Sequence, residues 1–285
     1  MVADYVALTK PPIMFLLLIT ALGGMVLAAQ GVPSISLVAL VLVGGALASG
    51  GASALNHYLD RDIDGQMLRT RQRPIPSQRT LPKQVLVFGL VLNLVAFVIL
   101  ATWVNWLSAA LALGGTLFYV FVYTMYLKRS TPQNIVLGGA AGAVPPLVGW
   151  AAVTGSVGLP AIYLFAIIFF WTPPHFWALA LLIKDDYARA GIPMLPVVRG
   201  ITATKRAIFL YTLVLVALTI MFSTLEVVGL LYFSAALVLG SYFVYLAWRL
   251  MQLGGMRRAR HVYLYSLLYL VLLFVSIMVD SMVAF

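Results

Sequence analysis

The chain has 285 residues, of which 63% are hydrophobic and only 9% are charged, and its formal net charge is +10. A mean hydropathy of +1.03 is far above that of a soluble domain, which excludes a soluble enzyme and predicts an integral membrane protein. The absence of cysteine excludes disulfides, zinc–thiolate sites and a thiol nucleophile.

Nine apolar stretches, each long enough to cross a bilayer as a helix, recur along the chain. They lie at about 12–30, 35–56, 84–104, 106–126, 134–153, 159–183, 206–224, 227–247 and 263–281. The polar breaks between them are too short for a soluble domain, so residues 1–285 are expected to form a single transmembrane domain. We predict an all-α integral membrane protein, with nine transmembrane helices in one bundle around a central cavity open towards the cytoplasmic side.

The positions of the basic residues agree with this count and predict an orientation. With nine spans and a cytoplasmic N-terminus, all 18 lysines and arginines fall in cytoplasmic segments. Contact with the anionic headgroups of the lipid bilayer then accounts for the positive charge, so no nucleic acid partner is expected. The start of the chain does not look like a transit peptide, which favours a multi-pass protein of the bacterial plasma (inner) membrane.

The densest polar segment follows the second span and reads "NHYLDRDIDGQMLRTRQRPIP" (residues 56–76). Asn56, Asp60 and Asp64 are spaced four apart, so on a helix they share a stripe about 80° wide. Two carboxylates and an amide oxygen on one face repel each other unless a cation binds there, and oxygen ligands of this kind suit Mg²⁺. We expect these three residues to be catalytic metal ligands.

Arginines follow the acidic residues directly. Arg69 and Arg73 are again four apart, and guanidinium groups bind phosphate oxygens in pairs. Acids that bind Mg²⁺ beside arginines that bind phosphate predict a diphosphate site. The alternative is a solvated loop held by salt bridges.

Four stretches carry a resemblance to a known family. They are the Asn-x-x-x-Asp-x-x-x-Asp motif with the following "RTRQRPIP", and the segments "LTKPPIMFLLLITALGG", "TPQNIVLGGAAGAVPPLVGWAAVTG" and "PPHFWALALLIKDDYARAGIPMLPVV". Over residues 6 to 270 the chain resembles the intramembrane aromatic prenyltransferase superfamily and, within it, the branch that acts on heme. The acidic motif is specific for the superfamily, and the last two segments are specific for that branch.

The resemblance implies a Mg²⁺-dependent transfer of the farnesyl group of farnesyl diphosphate to a vinyl group of heme B, followed by addition of water. A heme A synthase or a terminal oxidase could then be a partner. Two alternatives are a prenyltransferase for a quinone precursor or other aromatic acceptor, and a membrane heme carrier or transporter. The carrier is disfavoured because transporters bury their charges near the midplane, whereas here the clustered acids lie at one rim.

The second acidic loop departs from the superfamily pattern. The resemblance predicts a second Asp-x-x-x-Asp motif within "IKDDYARAGIPMLP", but Asp185 and Asp186 are adjacent. By this resemblance Asp185 is a catalytic ligand of a second Mg²⁺, Lys184 is a catalytic group that binds phosphate, and Asp186 contacts substrate. Which of the two acids binds metal is left open, and an ordinary charge cluster at a helix end is the alternative.

Two histidines are candidate heme contacts. His175 follows Pro173 and Pro174 in the sixth span, and the two prolines are expected to break or kink that helix beside a cavity. An ionisable residue at that depth is a candidate site, so His175 is expected to contact heme, although a hydrogen bond to a neighbouring span would also explain it. His57, beside the acidic motif, is the rival ligand.

Two further positions are expected near the substrates. Asn134 begins the fifth span and could contact diphosphate, and the run "GGAAGA" at 138–143 either lets helices pack closely or makes room for a porphyrin or prenyl chain. Tyr123, with Tyr119 and Tyr126, belongs to an interfacial aromatic belt or shields an allylic cation.

Overall fold

In the computed structural model, which describes residues 2–283, each of the nine apolar stretches is a helix long and apolar enough to cross a membrane. The spans are α1 (Pro11–Ala29), α2 (Ile35–Leu59), α3 (Pro82–Trp103), α4 (Trp106–Ser130), α5 (Asn134–Thr154), α6 (Leu159–Leu182), α7 (Gly200–Leu225), α8 (Leu230–Leu253) and α9 (Met256–Val283). Shorter helices lie at Val2–Leu8, Arg61–Asp64, Lys184–Arg189 and Leu195–Val198. Within the described range there is no strand, and the prediction of an all-α protein with nine spans is confirmed for that range.

The nine spans close into a ring. Each span packs against the next one along the chain, and α9 returns to pack against α1. Further contacts cross the ring, the most extensive of them between α1 and α5 and between α6 and α9, and α2 also contacts α4 and α5. Large apolar side chains such as Phe15, Leu94 and Val238 point outwards and stay exposed, as expected for surfaces that face lipid. The cytoplasmic opening of the central cavity remains a prediction.

The ends of the spans follow from local chemistry. Ser34 and Asn105 accept hydrogen bonds from the backbone of Leu37 and Ser108 and so cap α2 and α4. Prolines stand in the first turn of α1, α3 and α6, where a missing N–H leaves no hydrogen bond unmade.

The last three spans extend beyond their predicted limits. α7 and α9 begin six and seven residues earlier than expected, and α8 ends six residues later. Hydropathy falls at the basic residues near these ends, but helical hydrogen bonding continues through them. Only Gly254 and Gly255, with φ of 60° and 95°, separate α8 from α9, and glycine tolerates this left-handed turn.

Two pairs of adjacent prolines have different effects on their spans. Pro173 and Pro174 lie inside α6, which is one continuous helix from Leu159 to Leu182, so they do not break it, and a kink stays a prediction. The packing of α6 against α5, α7 and α9 holds it in shape despite two missing N–H donors. α5, by contrast, is interrupted at Val144, directly before its own proline pair, Pro145 and Pro146.

The crossing of α1 and α5 depends on glycine. A Cβ on Gly149 would lie 2.0 Å from the carbonyl oxygen of Ala21, and a Cβ on Gly24 would lie 2.4 Å from that of Pro146. The two backbones therefore meet without intervening side chains, as small residues allow in membrane helices.

We expect Gly149→Val to destabilise the protein by about 3 kcal/mol, because neither backbone can yield to a side chain at this crossing. The measurement is the thermal unfolding midpoint in detergent. Gly142→Ala is the matched control on the same span, since nothing lies within 4 Å of a Cβ there, and it should leave the midpoint unchanged or slightly raised. An unchanged midpoint in Gly149→Val would show that the helices can separate without loss of stability.

Asp280 is a buried carboxylate near the end of α9. It accepts hydrogen bonds from the backbone N–H groups of Gly229 and Tyr232, the second at 3.2 Å, at the beginning of α8. A carboxylate satisfies the free donors of a helix N-terminus and complements its dipole. Asp280 therefore has a structural role that joins α8 to α9.

Candidate functional site

The acidic residues lie where α2 ends. The chain keeps helical hydrogen bonding beyond Leu59, since Asp60 N donates to Asn56 O at 2.9 Å and Asp64 N donates to Asp60 O at 2.8 Å. The side chains of Asn56, Asp60 and Asp64 are at most 3% exposed. Asn56 Nδ2 donates to Asp60 Oδ2 at 2.7 Å, so the amide and the first carboxylate are in direct contact.

Three basic side chains contact these residues, two of them from distant parts of the chain. Lys128 Nζ lies 2.5 Å from Asp60 Oδ2, and Arg73 Nη1 donates to both oxygens of Asp64 at 2.8 Å. Lys10 Nζ donates to Asn56 Oδ1 at 2.8 Å. The expectation that the acids stay uncompensated unless a metal binds is therefore wrong. Lys10 and Lys128 are 46 and 68 residues from their partners, so local spacing could not show these contacts.

Lys10 occupies an unusual position between the Val2–Leu8 helix and α1. Its backbone is left-handed, with φ of 51°, a region that a lysine rarely adopts. Burial of its ammonium, together with the positive charges of Arg73 and Lys128, lowers the pKa of Lys10 to about 7. Its protonation is therefore sensitive to any anion that enters the cluster.

We expect binding of a diphosphate ester at pH 8 to be accompanied by uptake of up to about one proton. Lys10 is mostly neutral at that pH in the ligand-free protein, and a bound anion offsets the positive charges that lower its pKa, so the pKa rises on binding. Calorimetric titration in buffers of different ionisation enthalpy measures this uptake. Lys10→Met should abolish it, and affinity in the wild type should fall as the pH rises above 7. Equal uptake in both proteins would assign the proton to another group.

Asp62 lies outside this cluster. Arg129 donates to both of its oxygens at 2.6 and 2.8 Å, and these hydrogen bonds lower the pKa of Asp62 although partial burial acts in the opposite direction. The Asp62 side chain is 55% exposed, whereas that of Asp60 is 0% exposed. Two acids of the same loop thus face different surroundings.

The second acidic loop meets the first through Asp186. Burial alone would raise the pKa of Asp186, but hydrogen bonds from Arg189 and from the backbone N–H groups of Arg69 and Leu68 lower it. Arg69 N lies 3.3 Å from Asp186 Oδ2. Asp186 therefore holds the two polar loops together.

The other residues of the two loops are less constrained. Within residues 2–283, no hydrogen bond or ion pair engages the side chains of Arg69, Lys184 and Asp185, and Asp185 is exposed. Asn134 is 0% exposed at the beginning of α5, and neither its amide oxygen nor its amide nitrogen has a hydrogen-bond partner among the described residues. A buried amide in that state is available to a ligand.

A π-helical segment, Phe118–Leu127, shapes the side of the cluster formed by α4. The Thr124 hydroxyl donates a hydrogen bond to Tyr119 O at 2.9 Å and accepts one from Asn56 Nδ2 at 3.2 Å. The rings of Tyr119 and Tyr123 stack with centroids 5.5 Å apart, while Tyr126 is 67% exposed. The wider turn presents two tyrosines and a threonine beside the acids, as π segments often do at functional sites.

The small residues of "GGAAGA" have two kinds of surroundings, and room for a porphyrin or prenyl chain beside them stays a prediction. Gly138 packs against the Tyr123 ring and Gly139 against Thr172. Ala140 and Ala141 instead line an apolar groove of about 330 Å³ between α4, α5 and α6.

The two candidate histidines differ in their hydrogen bonding: His175 has a partner, and His57 has none among the described residues. His175 Nδ1 lies 2.7 Å from Ser266 Oγ on α9, and its ring stacks on Trp171 and Tyr263. His57 is 3% exposed, and neither of its ring nitrogens has a hydrogen-bond partner among the described residues. On an ideal helix His57 lies about 60° from Asp60, so it is close to the acidic face.

Sequence reasoning missed Lys10, Lys128 and Thr124 as parts of the site. In the sequence the two lysines stand out only as cytoplasmic charges, and Thr124 gives no signal. A lysine directly before the first span, within a stretch already matched to a family, is the one local hint that could have identified Lys10.

The donor set of the cluster fits a divalent cation of the Mg²⁺ type. Its groups are carboxylate and amide oxygens, and Asp60 Oδ1 is buried without a hydrogen bond from the described residues. Within residues 2–283, no three acidic, histidine or cysteine side chains form a ready-made metal cage. A bound cation would therefore take its other ligands from water and from phosphate oxygens.

Comparison with known proteins identifies the class to which this helical bundle and its acidic cluster belong. The sequence pattern of the UbiA prenyltransferase family matches residues 17–278. The chain belongs to this family, and it is a multi-pass membrane protein with nine apolar helices in its described part.

Two relatives are named protoheme IX farnesyltransferase. The one from Gloeobacter violaceus is 51% identical over 283 residues, which cover 99% of this chain and 93% of that protein. The one from a Roseiflexus species is 51% identical over 280 residues, which cover 98% of this chain and 52% of that protein. The chain thus spans about half the length of the Roseiflexus relative.

Two solved structures share the fold. A digeranylgeranylglyceryl phosphate synthase superposes with a TM-score of 0.81 at 17% identity, covering 98% of each chain. A UbiA homologue from Archaeoglobus fulgidus bound to DMAPP and Mg²⁺ gives a TM-score of 0.67 at 15% identity, covering 96% of this chain and 99% of that one.

Proposed function

We propose that the protein transfers a farnesyl group from farnesyl diphosphate to a vinyl group of protoheme IX (heme B), with addition of water, giving heme O and diphosphate. The observation that carries this proposal is the 51% identity to the Gloeobacter violaceus protoheme IX farnesyltransferase over 93% of that relative's length. The buried acidic cluster supports it, because diphosphate departure is the step that most needs charged groups.

Asn56, Asp60 and Asp64 are the proposed ligands of Mg²⁺. The bound cation would neutralise the charge that develops on the departing diphosphate. A second cation would be coordinated by Asp185, because the neighbouring Asp186 already accepts hydrogen bonds from Arg189 and from the backbone of the first loop.

The cations of the cluster would then bind phosphate. Once a metal binds, Arg73 and Lys128 can turn from their carboxylates, and Lys10 from the amide oxygen of Asn56, to the diphosphate, since each is a long side chain with several donors. The unengaged side chains of Arg69 and Lys184 and the amide of Asn134 would add further contacts.

In the proposed transfer, one bond of the prenyl donor breaks and one bond to the acceptor forms. The allylic C–O bond breaks with its electron pair leaving on diphosphate, and the vinyl π electrons form the new C–C bond. Water adds to the resulting cation and loses one proton. The stacked Tyr119 and Tyr123 are placed to shield positive charge from solvent with their rings, and the apolar groove beside Ala140 and Ala141 suits an isoprenoid chain.

His57 is the proposed contact to the heme iron. Its imidazole is buried with both nitrogens unpartnered among the described residues, so a ligand that it binds would satisfy it. His175 already has a partner on α9, and its contacts are those of a residue that holds two spans together.

The proposal places the protein in a bacterial plasma membrane with its N-terminus and both acidic loops in the cytoplasm. The positive-inside distribution supports this orientation. A heme A synthase or a terminal oxidase would receive the product.

The test is mass spectrometry of the porphyrins formed when purified protein in detergent is given heme B, farnesyl diphosphate and Mg²⁺, with an EDTA control. We expect a hydroxyethylfarnesyl heme that requires Mg²⁺. Consumption of farnesyl diphosphate with unmodified heme would indicate another aromatic acceptor. No consumption of farnesyl diphosphate would reject a prenyltransferase activity.

A further inference from the structure

A basic cavity of about 290 Å³ lies between the end of α8 and the beginning of α9, apart from the acidic cluster. Its lining combines one apolar residue with four basic ones, namely Leu246, Arg249, Arg257, Arg258 and His261. No acidic residue occurs in the sequence between Glu226 and Asp280.

Among residues 2–283, no acidic side chain forms an ion pair with the arginines of this cavity. Arg249 donates to the Tyr245 hydroxyl at 3.3 Å and Arg258 donates to Gly254 O at 3.0 Å, both neutral acceptors. In the described part of the chain neither these two residues nor Arg257 takes part in an ion pair. Lys205 adds another charge, since a Cβ on Gly254 would lie 3.2 Å from its Nζ. Several cations held close together without acids favour an anionic ligand.

The surroundings of the cavity are those of a membrane surface. Its lining residues lie near the ends of two apolar spans, and Trp248, Leu253 and Leu264 of the same two spans are 48%, 59% and 48% exposed. A tryptophan at the end of a span is typical of the headgroup level. A ligand here therefore presents a phosphate to the arginines and acyl chains to the neighbouring apolar side chains.

We propose that this cavity binds the headgroup of an anionic phospholipid such as phosphatidylglycerol. The arginine forks bind the phosphodiester oxygens, and Leu246 with the exposed flank of α8 and α9 contacts the acyl chains. The site is independent of the prenyl transfer chemistry.

The test is native mass spectrometry of the detergent-purified protein titrated with dioleoyl phosphatidylglycerol, with dioleoyl phosphatidylcholine as the control of equal chain length. We expect saturable binding of the first lipid only. The double variant Arg249→Gln with Arg257→Gln should bind it about thirtyfold more weakly, from about 1 kcal/mol for each basic residue. The matched double variant Lys83→Gln with Arg199→Gln removes the same charge from exposed positions outside the cavity and should change affinity less than about twofold.

Three results would overturn the proposal. Equal weakening in both double variants would mean diffuse attraction to the whole basic face. Displacement of the lipid by an equal concentration of inorganic phosphate would indicate a free-anion site, and equal binding of both lipids would remove any role of charge. Arg257→Gln alone keeps the test valid if the double variant does not fold, because Arg257 has no partner in residues 2–283, and its affinity should fall about fivefold.

Discussion

Asp60→Asn should reduce kcat for farnesyl transfer by about 10²–10³-fold while leaving the protein folded. Asp60 is completely buried, it contacts Asn56 and Lys128, and its Oδ1 atom has no hydrogen bond within the described residues. An amide keeps the shape but loses the negative charge needed to hold a divalent cation against the departing diphosphate. The measurement is steady-state formation of farnesylated heme at saturating Mg²⁺.

Asp62→Asn is the matched control. It makes the same change two residues away, on a side chain that is 55% exposed and paired with Arg129. We expect its kcat to stay within about twofold of the wild type, because an exposed ion pair contributes little. An equal loss in both variants would mean that the net charge of the loop matters rather than a metal site, and full activity of Asp60→Asn would remove Asp60 from the metal ligands.

His57→Ala should lower heme affinity by about tenfold or more and should remove the absorption features of imidazole-bound ferric heme. The wild-type imidazole is buried, and neither of its nitrogens has a hydrogen-bond partner among the described residues. Heme binding would give one of these nitrogens a partner, which favours the bound state. The tenfold figure is a lower bound, because a coordinate bond from imidazole to iron is stronger than a hydrogen bond to a charged group, which contributes about 1.5–3 kcal/mol. Spectral titration of the purified protein with heme B measures both quantities.

His175→Ala should behave differently. Its imidazole bonds to Ser266 and stacks between Trp171 and Tyr263, so the substitution removes packing between α6 and α9. We expect a lower thermal midpoint with the heme spectrum retained. Loss of the imidazole spectrum in His175→Ala, with no change in His57→Ala, would place the iron ligand on α6, where Ser266 would orient the ring.

The sequence was a good guide to the membrane fold. Hydropathy identifies the number of spans because a bilayer-crossing helix must satisfy its own backbone and face lipid. It located the ends of the last three spans less well, since charged residues lower hydropathy without ending a helix. The different outcomes at the two proline pairs depend on the packing of each span, which the sequence does not display.

For the site, spacing predicted which residues share a face but not their partners. The helical path through Asn56, Asp60 and Asp64 follows from the local sequence. Lys10, just before α1, and Lys128, on α4, reach these residues from other parts of the chain, so their contacts depend on how α1, α2 and α4 pack. The π-helical turn of α4 left no periodic signal, so the side chains that it presents could not be anticipated.

The order in which the chain is synthesised gives the acidic cluster a further property. Its carboxylates and most of their basic partners, from Lys10 to Arg129, lie in the first half of the chain. Since N-terminal segments leave the ribosome first, α1 to α4 can bring opposite charges together before α6 to α9 are made. The second half of the chain then adds the contact of Asp186 and closes the ring through α9 and α1. The carboxylates of the first acidic loop can therefore have basic partners before that second half is made.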